Sequence, residues 1–212
     1  MSLQRIDLEA GGVYHIYNHA VGRDNIFKEA ENYYFFLRKI SSRIKPFADV
    51  LAFCLMPNHF HFAIRIKNKK ELVNYWNRKI PQLKSRREKR GLKENADHVL
   101  LDILIVTEFA NLFNSYVQAF NKKYKRMGSL LKESFQRKRI DSDLGLIRLI
   151  SYIHNNPVEH GFVSSREEWK YSSYKAILSG NAKDALSHEV IKTFGGRENF
   201  IFLHDQNLSN KF

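Results

Sequence analysis

His59 and His61 stand two apart in a strictly alternating run, HFHFAIRIK (residues 59–67). In an extended strand, side chains two apart leave the same face, so both imidazoles project one way while Phe60, Phe62 and Ile64 project the other. Two converging imidazole nitrogens are the beginning of a divalent-metal site. Ordinary polar positions on a half-exposed strand have the same spacing, and His-x-His alone does not separate the two. Further on, Arg148, Tyr152 and Asn156 recur every four residues beside an apolar stripe of Leu146, Leu149, Ile150 and Ile153, which lines them along one helix edge bordering the core. Taken singly, Tyr152 half-buries its ring, Asn156 caps a helix end before Pro157, and Arg148 is solvated. Taken with the histidines, they offer a joint chemistry. An Asn amide oxygen is a third ligand one helical turn from a phenol, and phosphodiester transfer needs a cation on the phosphate and an oxygen nucleophile in line with the leaving 3′ oxygen. A phenol of ordinary pKa, about 10, is mostly protonated at neutral pH, so position and the field of a cation must favour the phenolate. No general base stands out.

The elements that must hold these residues can be read from periodicity. Gly12 to Val21, rich in Val, Ile and Tyr, predicts a first strand. Glu29 to Ile44 predicts a helix, with Tyr33, Phe36, Leu37 and Ile40 at helical spacing and Pro46 just beyond. Asp49 to Met56 is an apolar, strand-length run, and Pro57-Asn58 turns it into His59 to Lys67, a β-hairpin. Asn68 to Asn95 is polar and holds the densest basic cluster, Arg78 to Lys93, and reads as a partly helical or mobile insert, about 68–104 in all. Val106, Phe109, Ala110, Phe113, Val117 and Phe120 predict a long helix over Ile105 to Lys125, ended by Gly128. Gly128 to Ile140 returns as a strand, and Ser142 or Asp143 caps a helix running to the Asn-Asn before Pro157. The order βαββαβα implies an α+β fold: a ferredoxin-like antiparallel sheet with helices packed mainly on one face. Residues 1–180 form the principal domain with the basic insert, and 181–212 a short C-terminal extension.

A chain of 212 residues, 43% hydrophobic, can bury one good core. Its 35 Lys and Arg against 22 Asp and Glu leave a net charge of +13, which favours a polyanionic partner, nucleic acid first. No apolar run reaches the ~20 residues of a spanning helix, so no membrane is expected. Cys54 as the only cysteine excludes intrachain disulfides and multi-Cys zinc sites and fits a reducing compartment, with the cytoplasm as the default.

The paired segments PNHFHF (57–62) and SYIHNNPVEHGFV (151–163) resemble those of the single-tyrosine HUH transposases, particularly the REP-associated tyrosine transposases. YHIYNHAV (14–21), AFNKKYKRMGSL (119–130) and EEWKYSSY (167–174) extend the resemblance over most of residues 12–180. It implies that His59, His61 and Asn156 bind Mg²⁺ or Mn²⁺, that Tyr152 forms a 5′-phosphotyrosine link leaving a free 3′ hydroxyl, and that the substrate is single-stranded or hairpin DNA at repetitive palindromes. It also implies a homodimer, the working state of related insertion-sequence enzymes. The chain departs from the family in its long basic insert and in Asn156, where some relatives have Gln.

Other residues remain open. Lys122, Lys123 and Arg126, then Arg137, Lys138 and Arg139, with Arg148, are candidate contacts to a DNA backbone, and such runs also suit a solvated face. Tyr14, Tyr17, Tyr171 and Tyr174 have the chemistry to stack on unpaired bases, though packing accounts for each singly. His15, His19, His154 and His160 read as structural. The alternative to a strand transferase is a module that binds structured DNA or RNA without cutting it. A hydrolytic zinc enzyme lacks an obvious carboxylate base.

Overall fold

The sheet packs against an apolar core on each of its two faces. The computed structural model describes residues 6–79, 94–132, 134–180 and 185–206. In chain order the elements are β1 (Val13–His19), α1 (Ala30–Arg43), β2 (Ala48–Met56), β3 (His59–Ile66), α2 (Lys69–Lys79), α3 (Glu94–Lys123), β4 (Gln136–Ile140), α4 (Asp143–Glu159), a 3₁₀ turn (Arg166–Glu168), α5 (Tyr174–Ser179), α6 (Ala185–Thr193) and α7 (Arg197–Asp205). The sheet order is β2-β3-β1-β4, with every neighbouring pair antiparallel. This is the expected ferredoxin-like α+β arrangement.

One face carries Tyr14 and Ile16 of β1 and Phe60, Phe62 and Ile64 of β3 against Phe36 and Ile40 of α1 and Phe109, Phe113, Tyr116 and Phe120 of α3. The other face carries Cys54, Met56 and Ala63 against Leu149, Ile150 and Ile153 of α4, with Tyr174, Val190 and Phe200 from the last three helices and Phe194 from the turn between α6 and α7 behind them. Helices therefore cover both faces, not mainly one, because β2 is apolar on both sides and β3 adds Ala63 to the second. A register shift between Val50 and Ala52 makes Leu51 an extra residue. That bulge exchanges the two faces of β2 midway, so Ala48 joins the first core and Leu51, Ala52, Cys54 and Met56 the second. The outer edge of β2 is covered by Tyr171–Ser173: Leu55 N–H donates to Tyr171 O at 2.9 Å and Ser173 N–H to Phe53 O at 3.0 Å.

Several boundaries differ from those the sequence suggests. The long helix starts at Glu94, inside the supposed insert, and ends at Lys123. α2 is held to the body of the protein: Leu72 and Trp76 are buried, Trp76 stacks at 6.1 Å on Phe47, and Lys79 pairs with Glu108 at 2.7 Å. Most of the basic cluster between Arg78 and Lys93 lies outside the described residues. The fourth strand is only Gln136–Ile140. Ahead of it the chain leaves the β1 edge to bury Leu130 and Leu131, touching β1's continuation at the Ala20–Leu131 bridge.

α4 is capped as expected, Gly145 N–H donating to Ser142 Oγ at 3.1 Å, but it runs through Pro157 to Glu159. A proline in the last turn forfeits only the bond to the carbonyl four residues back, and His160 N–H still closes onto Asn156 O at 3.0 Å. Among the described residues no helix is long and apolar enough to cross a membrane.

Candidate metal centre and nucleophile

The register of the two central strands sets His61 opposite Tyr17 and His59 opposite His19, with His15 one step further along β1. These residues share the second face of the sheet. α4 buries Leu149, Ile150 and Ile153 over β2 and β3, which turns its polar edge of Tyr152 and Asn156 toward the histidines. Three contacts define the centre. Asn156 Oδ1 lies 3.0 Å from His59 Nε2, the half-buried Tyr152 ring lies edge-on to His61 at 5.3 Å, and His59 and His61 lie 5.1 Å apart, ring to ring. The four residues singled out from the sequence are thus brought together from two strand positions and a helix ~90 residues away.

Burial controls the charge of the cluster. It pushes His59 down to about 4, partly opposed by the hydrogen bond with Asn156, and pushes His61 well below the usual histidine range, with His15 and His59 adding to the effect. His15 is lowered to about 3, by burial first and Lys138 second, and His19 is lowered too, by burial, then Lys132 and His160. Neutral imidazole is the form that ligates metals.

A neutral His59 has one ring proton but faces two amide oxygens: Asn58 Oδ1 at 2.8 Å from Nδ1 and Asn156 Oδ1 at 3.0 Å from Nε2. The Asn156 amide is oriented by its Nδ2, which donates to Tyr152 O at 3.4 Å. With the proton on Nδ1, the lone pairs of His59 Nε2 and Asn156 Oδ1 face each other, an arrangement a cation relieves. Neighbouring donors on an octahedral ion with ligands at ~2.1 Å sit about 3.0 Å apart, so this pair fits a hard divalent ion. Among the described residues no group of three or more His, Cys, Asp or Glu could hold a metal.

The sequence reading missed three neighbours. His15, placed among structural histidines, lies with its Nε2 2.9 Å from His61 Nδ1; His19 stacks on His59 at 4.9 Å; the exposed His160 meets His59 at 5.0 Å. Their signal was present: His15, Tyr17 and His19 alternate along β1, and His160 follows Asn156 by one helical turn. His154 is structural, as expected. Its Nε2 pairs with Ser173 Oγ at 2.8 Å and its Nδ1 with His204 Nε2 at 2.9 Å.

The candidate DNA contacts do not form one patch. Lys138 is exposed on the His15 side of the sheet, whereas Arg137 and Arg139 alternate to the opposite side. Arg139 is engaged by Glu9 and Asp141, Lys123 by Glu29 and Glu31, and Arg126 by Asp24. Lys122 is exposed; Arg148 is half-buried, and its Nε has no hydrogen-bond partner among the described residues. Of the four tyrosines considered for base stacking, Tyr14 and Tyr174 are core residues and Tyr171 stacks on Tyr33 at 3.6 Å. Tyr17, half-buried against His15 at 4.5 Å, borders the centre.

A ferredoxin-like sheet with His-x-His on a central strand and a Tyr/Asn pair on the helix crossing it is the arrangement that the resemblance to single-tyrosine HUH transposases implies. No family model matches the chain. A Haemophilus influenzae protein assigned to the REP-associated tyrosine transposases is 26% identical over 130 residues, 59% of this chain and 58% of that protein, so the match spans less than two thirds of the relative. A solved REP-associated tyrosine transposase bound to a REP hairpin has the same fold, with a TM-score of 0.58 at 13% identity over 88% of this chain and 90% of that one. The chain is similar to REP-associated tyrosine transposases in both sequence and fold.

Proposed function

We propose that this chain is a transposase-like, metal-dependent enzyme that cuts and rejoins single-stranded DNA through a 5′-phosphotyrosine link at Tyr152, acting as a homodimer on hairpin or repetitive palindromic DNA. The observation that carries the reading is the meeting of His59 Nε2 and Asn156 Oδ1 at 3.0 Å beside His61, with the Tyr152 ring against that histidine. The similarity to a protein bound to a REP hairpin supports the choice of substrate.

Mg²⁺ or Mn²⁺ held by His59, His61 and Asn156 would polarise the scissile phosphate and favour the phenolate. The protein's own part is positional. Burial keeps the imidazoles uncharged, and Asn156 and Tyr152, one turn apart on a helix anchored by its apolar face, hold donor and nucleophile in fixed relation. The Tyr152 oxygen attacks phosphorus, its proton passing to water; the bond to the 3′ oxygen breaks, and that oxygen takes up a proton to become a free hydroxyl. Attack by a 3′ hydroxyl on the tyrosyl phosphodiester reverses the step and rejoins strands without an external energy source.

Incubation with end-labelled hairpin DNA and Mn²⁺ tests this on a denaturing gel. The expected result is a labelled protein band whose digested peptide contains Tyr152, absent from Tyr152→Phe, which retains DNA affinity. A band of equal intensity from the variant shows another nucleophile. Hairpin binding with no linked product from the unaltered protein favours the non-cleaving module.

A further inference from the structure

We propose that His15 is a positioning residue for the metal centre: its Nε2 accepts the Nδ1–H of His61 and so holds His61 in the neutral tautomer whose Nε2 lone pair is open to a cation. The inference rests on the reading of His61 as a ligand given above.

The two facing nitrogens are 2.9 Å apart, and both residues are buried, at 4% and 3% exposure. His15 cannot easily turn away. Its ring stacks on Tyr17 at 4.5 Å and on His61 at 5.1 Å, with Tyr152 edge-on at 6.0 Å. Two ring nitrogens that face each other at 2.9 Å hold one proton between them, because two facing N–H groups or two facing lone pairs would repel. If it belongs to His61, that residue's Nε2 is a lone pair. If it belongs to His15, the His61 proton sits on Nε2 and the ligand atom is blocked.

The two ligand histidines differ in this respect. His59 Nδ1 faces an amide oxygen, Asn58 Oδ1 at 2.8 Å, which can only accept, so that partner can never put a proton of its own between the two atoms. His61 faces a second imidazole, which can donate or accept, so its readiness to bind depends on which nitrogen of His15 carries the proton. The hydrogen-bond partner of a metal-bound imidazole fixes its tautomer and orientation, and losing such a partner typically costs 10–100-fold in metal affinity. Without the acceptor, a buried His61 Nδ1–H has no partner, and the ring escapes that penalty by moving its proton to Nε2.

Two-bond ¹H–¹⁵N correlation spectra of the metal-free protein at pH 8 read the tautomers directly. The expected spectrum shows His61 protonated at Nδ1 and His15 unprotonated at Nε2; the reverse assignment overturns the proposal without any variant. His15→Gln keeps an acceptor oxygen and is expected to retain the His61 tautomer and Mn²⁺ affinity within a few fold. His15→Phe keeps the ring stacking but offers no acceptor, and is expected to move the His61 proton to Nε2 and weaken Mn²⁺ binding about 10–100-fold. Identical tautomer and affinity in the two variants refutes the role of His15. If the unaltered protein binds no Mn²⁺, the metal reading fails, while the tautomer of His61 still decides what His15 does.

Discussion

Acid is expected to loosen the C-terminal helices through one buried chain of hydrogen bonds. His204 on α7 is fully buried. Its Nδ1–H donates to Phe200 O at 2.7 Å, and its Nε2 meets His154 Nδ1 at 2.9 Å. Burial holds it down at about 4 against 6.5, partly opposed by the bond to Phe200, while Arg166 lowers it and Asp205 and Glu167 raise it. Above pH 6.5 the folded and unfolded chains are both neutral at this site, and its full stability is present. As pH falls from 6.5 toward 4, the unfolded chain takes up a proton that the folded one refuses, so stability is lost across that window. At pH 5 the loss is roughly 2 kcal/mol from this residue. Urea unfolding of the unaltered protein and of His204→Gln at pH 7.5 and 5.0 isolates it, because every other histidine is common to both. The variant is expected to be less stable at pH 7.5 but to lose about 2 kcal/mol less on acidification. His154, also held well below the usual range by burial and then by His204, adds to the difference if it relaxes in the variant. Equal losses in the two proteins refute the argument.

Three further outcomes follow from the same structure. In calorimetry, the His59→Ala, His61→Ala double variant is expected to lose Mn²⁺ binding, and affinity equal to that of the unaltered protein shows the site to be misassigned. Lys138→Ala, exposed on the histidine face, is expected to flatten the log-log salt dependence of single-stranded DNA binding by about 0.7, whereas Arg139→Ala, on the opposite face and held by Glu9 and Asp141, is expected to change it little; the opposite ranking contradicts the assignment of faces. Phe200→Ala, which empties a fully buried aromatic position between Tyr174, Phe194 and His204, is expected to cost about 3–5 kcal/mol in urea unfolding, and a loss below 1 kcal/mol means that α7 is not part of the cooperative unit.

What the sequence determined by itself was everything with a short period. Alternation placed His59 and His61 on one face and Phe60 and Phe62 on the other, because a strand repeats every two residues. A four-residue spacing put Tyr152 and Asn156 on one edge of a helix whose apolar stripe fixes which way that edge turns. The turn at Pro57-Asn58 and the cap at Ser142 are local chemistry, legible in place. The tertiary structure decided what depends on residues far apart in the chain. Strand alternation already separates Lys138 from Arg137 and Arg139, but only the pairing with β1 shows which face carries the histidines. The same pairing brings His15 to His61, a contact between residues 46 apart that no local pattern specifies. The bulge at Leu51 and the covering of the second face by α4 to α7 are likewise outcomes of competition for buried surface. Apolar positions on both sides of β2 need partners, and which helices supply them is settled only when the whole chain packs.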